Sequence, residues 1–306
     1  MSNLLHVGLD VGSTTVKIVV MDDKLNTIYR DYQRHYSDTK NTVCNVLEGL
    51  AEKYPDSEFT IALTGSGAMS ASKFLDLPFI QEVVSCKRAV EKYIPETDVV
   101  IELGGEDAKI IYFDKSIEQR MNGSCAGGTG AFIDQMASLL NTDPTGLNEL
   151  AKNYQTIYPI ASRCGVFAKT DVQPLLNEGA AKEDIAVSIF QAVVNQTISG
   201  LACGRPIRGN VAFLGGPLNY LSELRKRFIE TLNLTPEQVI VPEEAHLLVA
   251  KGAALDSVQE AKPITVEKLR SKIGVLKVSH DDTSNPLAPL FSIEADYEEF
   301  KARHDK

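Results

Sequence analysis

The sequence predicts an α/β protein of two related lobes around a cleft. A strand–turn–strand unit is written twice, apolar strands alternate with helical stretches in both halves, and 306 residues suffice for two compact lobes. The first copy is Gly8-Leu9-Asp10-Val11-Gly12-Ser13-Thr14-Thr15-Val16-Lys17-Ile18-Val19-Val20-Met21-Asp22. The second is Val100-Ile101-Glu102-Leu103-Gly104-Gly105-Glu106-Asp107-Ala108-Lys109-Ile110-Ile111-Tyr112-Phe113-Asp114. Superposed, Asp10 falls on Glu102, Gly12 on Gly104, Lys17 on Lys109 and Asp22 on Asp114. Apolar strands joined through a glycine turn read as hairpins.

Each element has its own pattern. Residues 4–21 form the first hairpin, and a strand near 26–32 extends its sheet. Val43, Val46, Leu47, Leu50 and Tyr54 give residues 42–53 one apolar helical face. Residues 59–63 read as a strand ending at Thr64-Gly65-Ser66-Gly67, and 85–94 as a helix. The second hairpin spans 98–113. Residues 184–201 carry apolar side chains on two sides, the mark of a buried helix. A strand at 210–214 breaks at Gly215-Gly216-Pro217, a helix bearing Leu221, Leu224, Phe228 and Leu232 follows, and 243–260 is helical. After Lys262 the text turns to loop and a charged end. The expected division is a first lobe over 1–96, a second over 97–261, and an extension or linker over 262–306.

Composition is that of a globular chain, 43% hydrophobic and 24% charged. A net charge of −10 opposes binding to nucleic acid or anionic membranes. No apolar run reads as long enough to span a bilayer. The opening Met1-Ser2-Asn3-Leu4-Leu5-His6-Val7 does not read as a signal peptide, so the cytoplasm is the expected compartment. The five cysteines, Cys44, Cys86, Cys125, Cys164 and Cys203, are scattered and form no disulfide framework or C-x-x-C knuckle.

Glycine turns let backbone amides close on an anion. Gly12, Ser13, Thr14 and Thr15, with Gly104 and Gly105, are therefore candidates to hold nucleotide phosphates, with Lys17 and Lys109 neutralising charge. Acids at strand ends beside such turns, Asp10 and Glu102, suit Mg²⁺ held through its waters. Glu106 and Asp107 stand where Thr14 and Thr15 stand in the first copy. Either could orient or deprotonate an attacking water; Asp107 serves equally well as a plain turn acid. Gly215, Gly216 and Asn219, at a strand-to-helix turn, suit an anion or a sugar edge.

Together the two hairpins and this turn resemble the acetate and sugar kinase, actin and heat-shock chaperone superfamily, over most of residues 4–255. The resemblance implies two ribonuclease-H-like lobes around ATP.

Two cysteines lie in unusual settings: Met121-Asn122-Gly123-Ser124-Cys125-Ala126-Gly127-Gly128-Thr129-Gly130 and Ser162-Arg163-Cys164-Gly165-Val166-Phe167-Ala168-Lys169. Small residues after each leave room beside the backbone, and a helix N-terminus favours thiolate. A four-iron cluster needs four thiolates. One chain offers two, so such a cluster would sit on a two-fold axis. Spacing alone favours the blander reading, a buried small hydrophobe, which is also the expectation for Cys44, Cys86 and Cys203.

Set between these phosphate motifs, the two cysteine motifs closely resemble the activators of 2-hydroxyacyl-CoA dehydratases, a family that includes the BadF/BadG-type ATPase subunits of benzoyl-CoA reductase. The short activators usually carry a glutamine at the position of Glu106. Residues 214–228 and the tail after Lys262 look more like the activator module of the long CoA-substrate-specific activases. The resemblance implies a homodimer with one [4Fe–4S] cluster held by Cys125 and Cys164 of both copies. It further implies ATP/ADP with Mg²⁺ near Asp10, a ferredoxin or flavodoxin as electron donor, and an iron–sulfur dehydratase- or reductase-like acceptor protein. The expected function is ATP-driven, low-potential electron donation. The rivals are a small-molecule kinase of the same superfamily and a nucleotide-switched scaffold.

Overall fold

Because the motifs repeat, the chain is best followed lobe by lobe; the computed structural model describes residues 3–114, 116–122, 127–162, 164–279, 289–291 and 293–304. The first hairpin is β1 (Asn3–Val11) and β2 (Thr15–Met21), with β3 (Thr27–Arg34) beside it. Helix α1 (Thr39–Lys53) starts earlier than the apolar pattern predicts, because Asp38 caps it by accepting from the Asn41 N–H. Then come β4 (Ser57–Thr64), α2 (Ala68–Leu75) and α3 (Glu82–Tyr93). The second lobe opens with β5 (Val99–Leu103), β6 (Ala108–Phe113) and β7 (Ile117–Met121). Helices α4 (Gly130–Leu139), α5 (Pro144–Ala151), α6 (Gly165–Asn177) and α7 (Lys182–Thr197) follow. Next are β8 (Val211–Leu214), α8 (Gly216–Tyr220), α9 (Ser222–Leu232) and β9 (Val239–Ile240). The chain continues through α10 (Leu248–Glu260), β10 (Ile264–Thr265), α11 (Val266–Val278) and α12 (Glu294–His304).

Among the described residues two five-stranded sheets result, ordered β10-β4-β1-β2-β3 and β7-β6-β5-β8-β9. In each, the hairpin is antiparallel and its first strand also pairs in parallel with a later strand, β4 in one lobe and β8 in the other. This is the duplicated α/β architecture that the sequence predicts.

Strand periodicity decides what faces the cleft. On β1, Leu5, Val7, Leu9 and Val11 enter a core with α1, α2 and α11. The alternate residues Gly8 and Asp10 turn the other way, toward α10. A Cβ added at Gly8 would land on the Ala250 carbonyl oxygen, so α10 lies directly on this strand. In the second lobe Ile101 and Leu103 join a core with α4, α5, α7 and α9. Val100 and Ile111 pack instead with α3 and α10. Helix α10 is rich in small residues and a Cβ at Gly252 would strike the Ser85 carbonyl, so α3 and α10 touch backbone to backbone. These two helices form the layer between the sheets, and both acid–lysine pairs face it.

Three departures from expectation have physical causes. Residues 264–278, expected in an extension, return to the first lobe. There β10 pairs antiparallel with β4, and Val266, Leu269, Ile273 and Leu276 complete its core. The 243–260 helix begins only at Leu248, after Glu244 adopts a left-handed conformation (φ 59°) and a short 3₁₀ turn follows. The 184–201 helix is regular to Thr197; its last turn widens into a π-helical turn that stops at Cys203, also left-handed (φ 47°). The run Lys182–Ala202 is long and apolar enough to cross a membrane, contrary to the sequence reading. Its most apolar stretch is 67% buried in the second lobe, which accounts for the composition.

Candidate functional site

Both glycine turns close in the same way. The Gly12 N–H donates to the Thr15 carbonyl at 2.9 Å and the Gly104 N–H to the Asp107 carbonyl at 2.8 Å. The turns meet: a Cβ on Gly105 would collide with the Thr14 side chain. Beside that contact lies a cleft of about 610 Å³. Of the residues expected there, it is lined by Thr14, Thr15, Lys17, Glu102, Gly104, Gly105, Gly215 and Gly216. Gly215 needs to be glycine, since its φ is 87° and a Cβ would strike the Leu103 carbonyl.

Other expected residues stand back from the cleft wall. Gly12 and Ser13 are half-buried in the first turn, and Asn219 is half-buried on α8, its N–H donating to the Gly215 carbonyl. Glu106 is exposed and is not among the lining residues. Asp107 is bound to Lys109. Asp10 is buried and paired with Lys17 at 2.7 Å. Among the described residues, no group of three or more His, Cys, Asp or Glu side chains is arranged to hold a metal ion.

The electrostatics follow from burial. Burial opposes the charge on Lys17, but Asp10 outweighs it and raises the lysine pKa. Lys109 is raised in the same way, burial being overcome by Glu102, Glu82 and Asp107. Glu102 is pushed up by burial, and Lys109 only partly offsets this. Glu82, on the first turn of α3, is pushed up to about 7, by burial first and by the charge of Glu102 next.

Sequence reasoning missed the other cleft walls. Tyr32 on β3, Tyr220 on α8 and His246 form a ring cluster with centroids 5.1 to 6.1 Å apart, tying the two lobes together. Burial, then Lys17, lowers the His246 pKa to about 4. Arg34 on β3 reaches across to Asp134 on α4 at 3.1 Å. The period-2 spacing of Tyr32 and Arg34 was a usable signal, because it puts both on one face of β3. In the sequence Gly65 reads only as the end of a strand. It has φ 97°, and a Cβ there would press on Asp10 Oδ1 and the Val11 carbonyl.

Cys125 lies outside the described residues. Cys164 is half-buried at the N-cap of α6, with Val166 and Phe167 just after it 71% and 64% exposed. Cys44 and Cys86 are buried, as their helical faces predict. Cys203 is exposed, so packing does not explain it. Helix α4 links this region to the cleft. Its Gly130 and Ala131 N–H groups donate to the carbonyls of Gly104 and Gly105 at 3.0 and 2.7 Å. Its Phe132 ring lies against Gly165, where an added Cβ would sit 3.3 Å from Cδ2.

Residues 7–257 match the model of the BadF/BadG/BcrA/BcrD ATPase family. The chain is 32% identical over 262 residues to the 2-hydroxyisocaproyl-CoA dehydratase activator of Clostridioides difficile, covering 84% of this chain and 96% of that one. Among solved structures, the activator of the 2-hydroxyisocaproyl-CoA dehydratase from Clostridium difficile with bound ADPNP superposes with a TM-score of 0.70 at 27% identity. That match covers 92% of this chain and 100% of the other. Component A of the Acidaminococcus fermentans (R)-2-hydroxyglutaryl-CoA dehydratase superposes with a TM-score of 0.72 at 27% identity, covering 87% and 99%.

Proposed function

Because the chain belongs to the BadF/BadG/BcrA/BcrD ATPase family, we propose that it is an ATP-driven, low-potential electron donor, a homodimer that activates a 2-hydroxyacyl-CoA dehydratase-like iron–sulfur partner. ATP would lie in the cleft, its phosphates at the Thr14–Thr15 and Gly104–Gly105 turns and its adenosine toward Gly215 and Gly216. Lys17 would balance phosphate charge. The lack of an acidic cage among the described residues fits Mg²⁺ carried by the phosphates and water, with Asp10 acting through that water. Glu106, exposed, is poorly placed as a base; Glu102, which lines the cleft and makes no ion pair among the described residues, is the better candidate to accept the proton of the attacking water.

The observation that carries the coupling is the position of α4, bonded to the second phosphate turn and packed beside Cys164. Cys164 fits a shared [4Fe–4S] cluster: it is free, at a helix N-terminus, next to exposed apolar side chains that a second copy could cover. Cys125 and Cys164 of two copies would be the four ligands, and the cluster would supply a one-electron carrier of low potential. A ferredoxin or flavodoxin is the donor we propose. The test is iron content after anaerobic purification. One four-iron cluster per two chains is expected, lost in Cys125→Ser and in Cys164→Ser with ATP binding retained. Unchanged iron in both variants would sink the assignment.

A further inference from the structure

Both hairpins put an acid and a lysine directly opposite each other, Asp10 against Lys17 and Glu102 against Lys109. The outcome differs. Lys17 Nζ bonds Asp10 Oδ2 at 2.7 Å. Lys109 Nζ instead bonds Glu82 Oε1 at 2.7 Å and Asp107 Oδ2 at 2.6 Å, and among the described residues it makes no ion pair with Glu102. The lysine side chain is only 4% exposed, and these two carboxylates take two of its three donors. Glu102 Oε2 is left buried with no hydrogen-bond partner. Glu82 belongs to neither hairpin; it comes from the first turn of α3.

We infer that Glu82 is a positioning residue for ATP hydrolysis: it draws Lys109 aside and so keeps the Glu102 carboxylate free to act in the cleft. This rests on the reading of the cleft as the ATPase site. In the hydrolytic step the water oxygen bonds to the γ-phosphorus as the bond to the β–γ bridging oxygen breaks. ADP leaves with that electron pair, and the water proton goes to the carboxylate of Glu102, a residue that lines the cleft. A lysine seated on Glu102 would occupy that carboxylate and make it a poorer proton acceptor. The first hairpin shows that arrangement: among the described residues Lys17 forms its ion pair with Asp10.

The experiment is steady-state ATP hydrolysis by the full chain, with kcat and KM separated. Glu82→Gln should lower kcat on the order of ten- to a hundred-fold while KM for ATP stays within about two-fold, because the defect acts on the chemical step. Glu82→Asp, which keeps the charge and shortens the reach, should recover part of the loss. The double variant Glu82→Gln/Glu102→Gln should be no slower than Glu102→Gln alone, because Glu82 acts through Glu102. Multiplied losses in the double variant, or full kcat in Glu82→Gln, would overturn the inference. If Glu82→Gln does not fold, Glu82→Asp carries the same comparison, with an intermediate kcat loss that does not multiply with Glu102→Gln. Full turnover in Glu102→Gln would instead remove the role given to Glu102, and the inference with it. An inactive Glu102→Gln beside a fully active Glu82→Gln removes the inference alone.

Discussion

The two lobes start from one hairpin plan and end with different electrostatics. In the first, the acid and lysine satisfy each other across the ladder, and Asp10 is a closed pair. In the second, α3 and the turn supply two further carboxylates, Lys109 turns to them, and Glu102 makes no ion pair among the described residues. A repeated motif therefore does not repeat a role. The neighbouring element decides which of two equivalent acids is bound and which is available.

The largest effect that would test this contrast is at Asp10. Asp10→Asn strands Lys17 in a buried site, so thermal or denaturant unfolding should show a loss of about 3 kcal/mol. Hydrolysis should fall roughly a hundred-fold. Stability unchanged in this variant would mean that the pair is not closed. Glu102→Gln should differ in stability and not in turnover. It breaks no ion pair, so unfolding should be little altered at neutral pH, while turnover falls on the order of a hundred-fold.

The pH dependence sharpens the comparison. Glu82 is pushed up to about 7 and Glu102 is raised as well, both chiefly by burial. Each folded-state pKa lies above its unfolded value, so the folded protein holds the extra protons. For Glu82 the stability contribution is full below the ordinary value of 4.5 and is lost as pH rises through about 7. Hydrolysis runs the other way, since the proton acceptor Glu102 must be ionised: kcat/KM in the free protein should fall as pH drops, starting above the ordinary carboxylate range because burial raises Glu102. A profile flat down to pH 5 would contradict a buried carboxylate as the proton acceptor. The smallest effect is at the rim. The Arg34–Asp134 pair joins the lobes but is 49% and 36% exposed, so Arg34→Ala should cost under about 1 kcal/mol in denaturant unfolding.

Much of this was legible in the sequence because it is local. Glycine turns and strand alternation gave both hairpins, and the cysteine motifs with them gave the family. Other features were not legible. The 264–278 segment carries Val266, Leu269, Ile273 and Leu276 at helical spacing, yet nothing local says that they belong with β4 and α1. The Tyr32–Tyr220–His246 cluster and the Arg34–Asp134 pair join residues far apart in the chain. Glu82 lies just before the helix pattern that reads from Ser85 and belongs to no motif. The sequence by itself determined the two hairpins and the acid and lysine that each carries. Only the tertiary structure decided which acid was left free, because an ion pair in a dry layer goes to whichever carboxylate the packing of a distant helix brings within reach, and that helix is held by backbone contacts at Ser85 and Gly252 that no local pattern encodes.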